Sequence, residues 1–369
     1  MKRARHTAPA LVAITLVGCA VLLGASIASA TFEFTFETEK QIKTGPSGFD
    51  YVKAHCVVTN TGTDADSYDI YKDDTESPVT WQVSICVGGE DGTCEAPFVY
   101  ETFDRIPLNP GESDTVSIYF TPVDEGSGYA LLTVASHNDP GFEQALTLGC
   151  VTTGLDLVIV NDDEDPDYEG YFAAAVPVGL ASGTWRTSLR HFAHDDLGGV
   201  NVAYWFTGDA TSTLDATDRE DLDGFLAAGG RLMLTGQEIA YDLCDPASPN
   251  WSAESQAWFE NRLNATYVGD DAGTTTLEPV AGDPVADGLT LEASGGDGAN
   301  NQTDPDVVAP ALGGFGAWTY QGGAGTAAVR VEGGFYRAVF LGFGFEAISS
   351  ATDREVVAFR VYDYLDDPL

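Results

Sequence analysis

The sequence predicts a protein of several domains: an antiparallel β-sandwich, followed by an α/β domain with three layers and a mostly parallel sheet. From Thr31 to Thr152, short runs of alternating apolar and polar residues are separated by turn sequences, which is typical of half-buried strands. From Gly154 onward, continuous apolar runs alternate with helical patterns, as in parallel sheets that are covered on both faces. The chain has 369 residues, a length that fits about two domains. The predicted bounds are 1–30 for a signal peptide, 31–152 for the sandwich and 153–369 for the α/β domain.

The N-terminal segment has the composition of an export signal. Basic residues precede an apolar stretch that ends in the small-residue cleavage sequence Ala28-Ser29-Ala30, which predicts a secretory signal peptide and a secreted or cell-surface mature protein. A second interpretation stays open, because Leu16-Val17-Gly18-Cys19 resembles a bacterial lipobox and would make Cys19 a lipid-anchored N-terminus. No later run reaches the ~18 apolar residues of a membrane helix, so we expect no transmembrane helix in the mature chain.

The chain is strongly acidic, with 17 Lys+Arg against 57 Asp+Glu and a formal net charge of -40. Such a surface repels phosphate, which excludes nucleic acid as a partner. Hydrophobic residues make up 44% of the chain, more than a disordered protein has. The acidic residues are spread over both domains, so the net charge indicates a solvation strategy for an exported protein, with salt screening the self-repulsion.

Export permits disulfide bonds, and five cysteines follow Cys19. Cys86 and Cys94 flank a glycine-containing loop that can turn back on itself, which favours a bridge between them. A second bridge is predicted between Cys56 and Cys150, joining an early strand to the last strand of the sandwich. Cys244 is then the odd cysteine.

Strand patterns justify the β-sandwich. Phe32, Phe34 and Phe36 alternate with polar residues, and Asn109-Pro110-Gly111 is a strong turn signal. The further predicted strands are His55–Thr59, Ser67–Tyr71, Trp81–Cys86, Asp114–Phe120, Tyr129–Ser136 and Gln144–Val151. The runs VVTNTGTDADSYDI, LNPGESDTVSIYFTP and GYALLTVAS resemble fibronectin-III-like and other immunoglobulin-like modules of secreted bacterial proteins, a resemblance that implies a fold and not a function.

The α/β domain is predicted from alternating strands and helices. Predicted strands are 155–160, 202–206, 231–235, 327–331 and 337–343, the last two joined by a glycine turn at 332–335. Predicted helices begin near Pro166, at the capping sequence Thr217–Glu220, at Ser252 and at the capping sequence Thr352–Glu355.

The run FLAAGGRLMLTGQEI is similar to class I glutamine amidotransferase-like domains, whose fold is flavodoxin-like. In those enzymes a helix ends in Gly-Gly, a strand follows, and a sharp turn presents a cysteine nucleophile, with a histidine and an acid later in the chain. Here the turn reads Leu234-Thr235-Gly236-Gln237, and no histidine follows it. The resemblance therefore implies a domain that has lost the catalytic residues. Thr235 is a poor replacement nucleophile, since it would need His191 or His194 as its base, and Cys244 is expected to pack as a small hydrophobe.

In mostly parallel sheets, ligands bind beyond the carboxyl ends of the strands. The residues that follow the predicted strands form a candidate crevice: Asp162, Asp163, Asp209, Gln237, Glu238 and Glu346. They predict a polar pocket for a small ligand or a sugar, and a carboxylate pair there suits general acid/base work. The loop at 295–302, rich in glycine and asparagine, would either contribute amides to the crevice or lie on the surface. Helix capping and loop hydrogen bonds are the alternative role for the acidic residues.

Four carboxylates of one loop, Asp162, Asp163, Asp165 and Asp167, offer hard oxygen ligands at short spacing, which suits Ca²⁺. The loop lacks the EF-hand pattern. The alternative is a helix N-terminus at which aspartates are favoured by the helix dipole.

Three functions are compatible with these patterns. The first is a secreted or surface protein without catalysis that binds a glycan, a peptide or a surface protein. The second is an extracellular hydrolase that uses the crevice carboxylates on glycans or peptides. The third is an accessory module derived from a secreted peptidase. The missing Cys and His leave catalysis uncertain and favour the first and the third.

Overall fold

The computed structural model describes residues 30–48, 50–88, 93–94, 102–163 and 168–367. The predicted signal peptide, up to residue 29, and the lipid site at Cys19 lie outside these residues. Strands account for 38% of the described residues and helices for 19%. Within the described ranges, no helix has both the length and the apolar character needed to cross a membrane.

Two five-stranded sheets pack face to face in the first part of the chain. The first sheet has the order β1 (Phe34–Thr38), β3 (Val52–Asn60), β8 (Ser113–Thr121), β5 (Gln82–Val87) and β6 (Thr93–Cys94). The second has the order β2 (Ile42–Gly45), β10 (Glu143–Thr152), β9 (Ser127–Ser136), β4 (Asp66–Asp73) and β7 (Thr102–Leu108). Neighbouring strands are antiparallel, except that β2 runs parallel to β10. The predicted β-sandwich is therefore confirmed, with one parallel pair that the sequence did not indicate.

Alternation along each strand builds the sandwich core. In β3, every second side chain from Val52 to Asn60 is buried, because successive residues of a strand point to opposite faces. Phe34 and Phe36 of β1 are buried in the same way, and both join a single apolar cluster between the sheets.

The predicted bridge between Cys56 and Cys150 is wrong, because both thiols are free and buried in the sandwich core. Burial raises the pKa of each thiol to about 12, so they behave as small apolar side chains. Cys244 is also free and buried. The register of β5 and β6 places Cys86 opposite Cys94. The side chain of Cys94 is outside the described residues, and that bridge stays a prediction.

The second part of the chain is built on one eleven-stranded sheet. Its main path is β12 (Ser182–Arg186), β11 (Leu157–Asn161), β13 (Val202–Phe206), β14 (Arg231–Thr235), β21 (Arg337–Leu341), β20 (Gly325–Glu332), β19 (Gly314–Tyr320), β16 (Thr276–Pro279) and β17 (Leu291–Glu292). Beside this path, β15 (Ala265–Gly269) pairs with β18 (Val307–Pro310), which also pairs with β20.

The predicted three-layer, mostly parallel, flavodoxin-like domain is wrong. Of the strand pairings described in this sheet, four are parallel and six are antiparallel. The physical reason is the turn between β20 and β21, which makes the two strands antiparallel neighbours. The strands between β15 and β20 then follow one another with no α-helix between them, so this half of the sheet lacks the crossover helices that a parallel arrangement needs.

The helices cover the parallel part of the sheet. They are α1 (Glu169–Ala175), α2 (Ala216–Ala227), α3 (Ile239–Cys244), α4 (Ala253–Leu263) and α5 (Ala351–Asp366). Ser252 caps α4, as predicted. In α2 the cap is Asp215, which forms a capping box with Asp218, and in α5 it is Ser350. Both N-caps therefore lie two residues before the first residue of the predicted capping sequences.

The outermost parallel strand, β12, lies directly against the sandwich. A Cβ atom at Gly183 would lie 2.9 Å from the carbonyl carbon of Gly126, so the two backbones touch where both residues are glycine. The hydroxyl of Tyr129, on β9, donates a 2.7 Å hydrogen bond to the carbonyl of Thr184. The guanidinium of Arg186 lies 4.1 Å above the Tyr129 ring, and these contacts join the sandwich to the large sheet.

We expect Tyr129→Phe to lower the free energy of unfolding by about 1 kcal/mol, because the buried Thr184 carbonyl loses its side-chain donor while the ring and its arginine contact remain. Urea unfolding followed by tryptophan fluorescence measures the change. Tyr51→Phe, at a ring that is 74% exposed, is the matched control and should leave the free energy unchanged. Equal values for the two variants would contradict a role for the Tyr129 hydroxyl.

Candidate crevice at the carboxyl ends of the parallel strands

Strands β11, β13, β14 and β21 are parallel neighbours, so the residues that follow them lie along one edge of the sheet. The six predicted crevice residues all lie at this edge. Their side chains do not share one pocket, however, and the structure divides them into three groups.

The central group contains Asp163, Asp209 and Glu346, with Tyr168 and Asn301 beside them. Glu346 is fully buried. Its Oε1 accepts a 2.7 Å hydrogen bond from the Asn301 amide, whereas its Oε2 has no hydrogen-bond partner among the described residues. We call these five residues the central crevice.

Electrostatics in the central crevice favour the protonated form of Glu346, so that it titrates near neutral pH. Burial raises its pKa to about 7; the hydrogen bond from Asn301 opposes this shift, and the charges of Asp163 and Asp209 add to it. Tyr168 faces the same groups: burial and the neighbouring Asp209 raise its pKa to about 12. A protonated carboxyl beside two acidic residues can donate a hydrogen bond or a proton to a ligand.

Two glycines allow the carboxylates to approach the strand ends. Gly208 has φ +55°, and a Cβ there would lie 2.3 Å from Oδ2 of Asp163. A Cβ at Gly344 would lie 2.1 Å from Oε1 of Glu346. A side chain at either position would displace the carboxyl group that lies against it.

The 295–302 loop lies against the crevice, which decides between the two interpretations of this loop. Gln237 holds it in place: its amide donates to the carbonyl of Asn301 at 3.1 Å, and its carbonyl oxygen accepts from the backbone N–H of Thr303 at 2.7 Å. The side-chain oxygen of Gln302 accepts from the backbone N–H of Gly344 at 2.8 Å. Gln237 is thus a positioning residue for the loop.

Asp162 forms a second group on the other side of the strand. It accepts hydrogen bonds from Thr187 Oγ1 at 2.7 Å and from Trp205 Nε1 at 3.0 Å. Burial and the nearby charge of Asp218 raise the pKa of Asp162 well above its ordinary value, and burial raises the pKa of Asp218 to about 6. Both residues line an open groove of about 300 Å³ that also contains His191.

Glu238 forms the third group, and it is only 8% exposed. Its charged neighbours are Asp270, Asp304 and Asp242, none of which belongs to the central crevice.

The predicted calcium loop is described only in part, because Asp165 and Asp167 lie outside the described residues. Asp162 contacts Thr187 and Trp205, whereas Asp163 lies against Gly208. Consecutive residues therefore face different partners. Within the described ranges, no group of three or more acidic, histidine or cysteine side chains is placed to hold a metal ion.

The resemblance to glutamine amidotransferase-like domains is wrong. Besides the mixed sheet, the turn after β14 differs from a nucleophile turn, since Thr235 is fully buried. Its hydroxyl donates to the carbonyl of Phe343 at 2.7 Å and accepts from the N–H of Phe345 at 2.9 Å. No residue from Thr235 to Glu238 has a positive φ, so the turn lacks the strain that exposes a nucleophile.

Sequence reasoning missed three residues of these groups: Tyr168, Asp218 and His191. Asp218 was interpreted only as a capping residue, a role that it does have. The sequence position of Tyr168 could have indicated a site residue, because Tyr168 follows the acidic loop after β11 and directly precedes α1.

No family model matches the chain, and no curated protein matches it. Parts of it are similar to solved structures. One is the N-terminal domain of PorA, with 14% identity and a TM-score of 0.26, covering 33% of this chain and 98% of that one. Another is a PapD-like domain of human CEP192, with 16% identity and a TM-score of 0.21, covering 39% and 96%. A third is a conjugative transposon lipoprotein from Bacteroides eggerthii, with 16% identity and a TM-score of 0.23, covering 32% and 98%. TM-scores this low define neither the fold nor the function of this chain.

We expect Glu346 to make the stability depend on pH. Its pKa in the folded state, about 7, lies above the ordinary value of 4.5. Its contribution is therefore fully present below about pH 4.5 and is lost as the pH rises through about 7. Glu346→Gln should reduce the stability difference between pH 5 and pH 8 by about 3 kcal/mol, as measured by urea unfolding.

The control for this experiment is Glu355→Gln, at an exposed position of α5. It removes the same charge and should leave the pH dependence unchanged. An unchanged pH dependence in Glu346→Gln would show that Glu346 ionises in the folded protein as it does in the unfolded chain.

Proposed function

We propose that this chain is a secreted or cell-surface binding protein whose central crevice holds a glycan through hydrogen bonds from the sugar hydroxyls. The observation that carries the proposal is Oε2 of Glu346, a fully buried carboxyl oxygen that lacks a hydrogen bond from the described residues. Leaving such an atom unsatisfied is costly, and a ligand hydroxyl removes that cost.

The chemistry of the crevice supports a polar ligand rich in hydrogen-bond donors. Asp163 and Asp209 offer further acceptor oxygens close to Glu346, and Tyr168 adds an aromatic ring with a hydroxyl group. Acidic acceptors beside an aromatic ring suit sugar hydroxyls better than a phosphate or a carboxylate, which these charges would repel. The export signal predicted from residues 1–30 supports the location outside the cell.

A hydrolase is the second candidate, and the pKa of Glu346 is the observation in its favour. A carboxyl group with a pKa of about 7 keeps a protonated fraction at neutral pH and can act as a general acid, with Asp163 or Asp209 as the second carboxyl group.

The test is a glycan array followed by titration calorimetry on the chain from Thr31 onward. We expect at least one glycan to bind, and Glu346→Gln and Asn301→Ala each to weaken binding by roughly ten-fold, since each removes a polar group at a buried site. Glu355→Gln is the matched control and should bind like the wild type. The absence of any bound glycan, or unchanged binding in both crevice variants, would refute the proposal.

The same samples separate the two functions. Under the binding function, the bound glycan is recovered intact after prolonged incubation. Under the hydrolase function, new reducing ends appear, and Glu346→Gln lowers kcat by about 100-fold or more, as loss of a general acid does.

A further inference from the structure

The group around Glu238 lies where two loops meet. The backbone N–H of Asp304 donates to Oε1 of Gln237 at 3.3 Å, which places Asp304 beside Glu238. The N–H of Ala272 donates to the carbonyl of Pro305 at 3.2 Å, which brings the loop with Asp270 to the same place. Three acidic residues therefore come from three segments that meet here, and the charges of Asp270 and Asp304 act on Glu238.

Asp306 fixes the 303–306 loop next to the start of α3. It is fully buried, and its carboxylate accepts the backbone N–H of Ala240 at 2.6 Å and of Tyr241 at 2.9 Å. The first residues of α3 are thereby tied to the 303–306 loop, which holds Glu238 next to that loop. The backbone on both sides of Glu238 is therefore held in place by hydrogen bonds.

The side chain of Glu238 has no hydrogen-bond or ion-pair partner among the described residues that would compensate for its burial, although the residue is only 8% exposed. Asp242 is fully occupied elsewhere, since its two oxygens accept from Thr213, Ser248 and Asn250. Burial and the charges of Asp270, Asp304 and Asp242 raise the pKa of Glu238 to about 7, and a bound cation would favour its ionised form.

Two tyrosines stand beside the carboxylates. The rings of Tyr241 and Tyr267 are 6.4 Å apart and tilted by 61°, and both are half-buried. Burial raises the pKa of both hydroxyls, and the charges of Asp245 and then of Asp270 add to this shift. Aromatic faces beside carboxylates suit a planar guanidinium group, which stacks on rings and donates to several oxygens.

The geometry does not suit a metal ion, because within the described ranges no three such side chains are close enough to ligate one. A guanidinium carries five N–H donors spread over a wider fork, and it can bridge carboxylates that are too far apart for a small ion.

We propose that Glu238, Asp270 and Asp304, flanked by Tyr241 and Tyr267, bind a guanidinium group of the arginine type. A free arginine derivative and an arginine side chain of a peptide share this chemistry. The site is separate from the central crevice, and it does not depend on the function proposed there.

The test is titration calorimetry of the chain from Thr31 onward at low salt, with argininamide and with the peptide Gly-Arg-Gly. We expect the peptide to bind, and its citrulline counterpart, which is uncharged and nearly isosteric, to bind at least ten-fold more weakly. If argininamide also binds, the guanidinium group is sufficient for binding. If the peptide binds and argininamide does not, the site is assigned to a protein partner. Both results support the proposal.

Glu238→Gln and Asp270→Asn should each weaken binding by at least five-fold, whereas Glu355→Gln should not change it. Asp270 is exposed, so its variant remains informative if Glu238→Gln does not fold. Three results would each overturn the proposal: no binding of either arginine ligand, equal binding of the citrulline peptide, or unchanged affinity in both site variants. Failure of the glycan test at Glu346 would leave this result untouched.

Discussion

The close approach of two glycines, Gly126 of the sandwich and Gly183 of β12, is the constraint on which the arrangement of the molecule depends. Because a Cβ atom at Gly183 would collide with the backbone of residue 126, β12 can reach the sandwich only without a side chain there. The position of β12 sets that of β11, with which it pairs along its whole length. The remaining parallel strands follow in register, so the edge that carries the crevice is placed relative to the sandwich through β12 and its contacts with Gly126 and Tyr129.

At that edge of the sheet, several of the chain's many acidic residues lie close to one another and are partly or fully buried. Most carboxylates of the chain are solvated, but a few are withdrawn from water beside others of the same charge, as Glu346 is in the central crevice and Glu238 is between two loops. Each is held by backbone or amide groups from distant segments, with Asn301 and Asp306 as the main anchors. Such sites are destabilising in the unliganded protein, and they persist because the surrounding fold is rigid enough to hold them.

Local patterns predicted most strands of the sandwich, but only five of the eleven strands of the large sheet. The period-two alternation indicated the sandwich strands, and the apolar run at 155–160 indicated a strand buried on both faces, as β11 is. The parallel assignment failed beyond β21, because short strands such as β16 and β17 carry too few residues to reveal their direction. The crevice edge was predicted from strand order. The separation of Asp162 from Asp163, and the contact of Asn301 with a residue 45 positions later, depend on tertiary packing that a pattern does not contain.

The three free thiols of the described residues have a consequence for folding in an oxidising compartment. Cys56, Cys150 and Cys244 are all buried, so a native molecule offers none of them to an oxidant, whereas an unfolded chain exposes all three at once. In an oxidising compartment the unfolded chain can form incorrect bridges, and collapse of the apolar cores must therefore outpace oxidation. In such a compartment, correct folding therefore depends on these cysteines being buried before they are oxidised, as well as on the stability of the final structure.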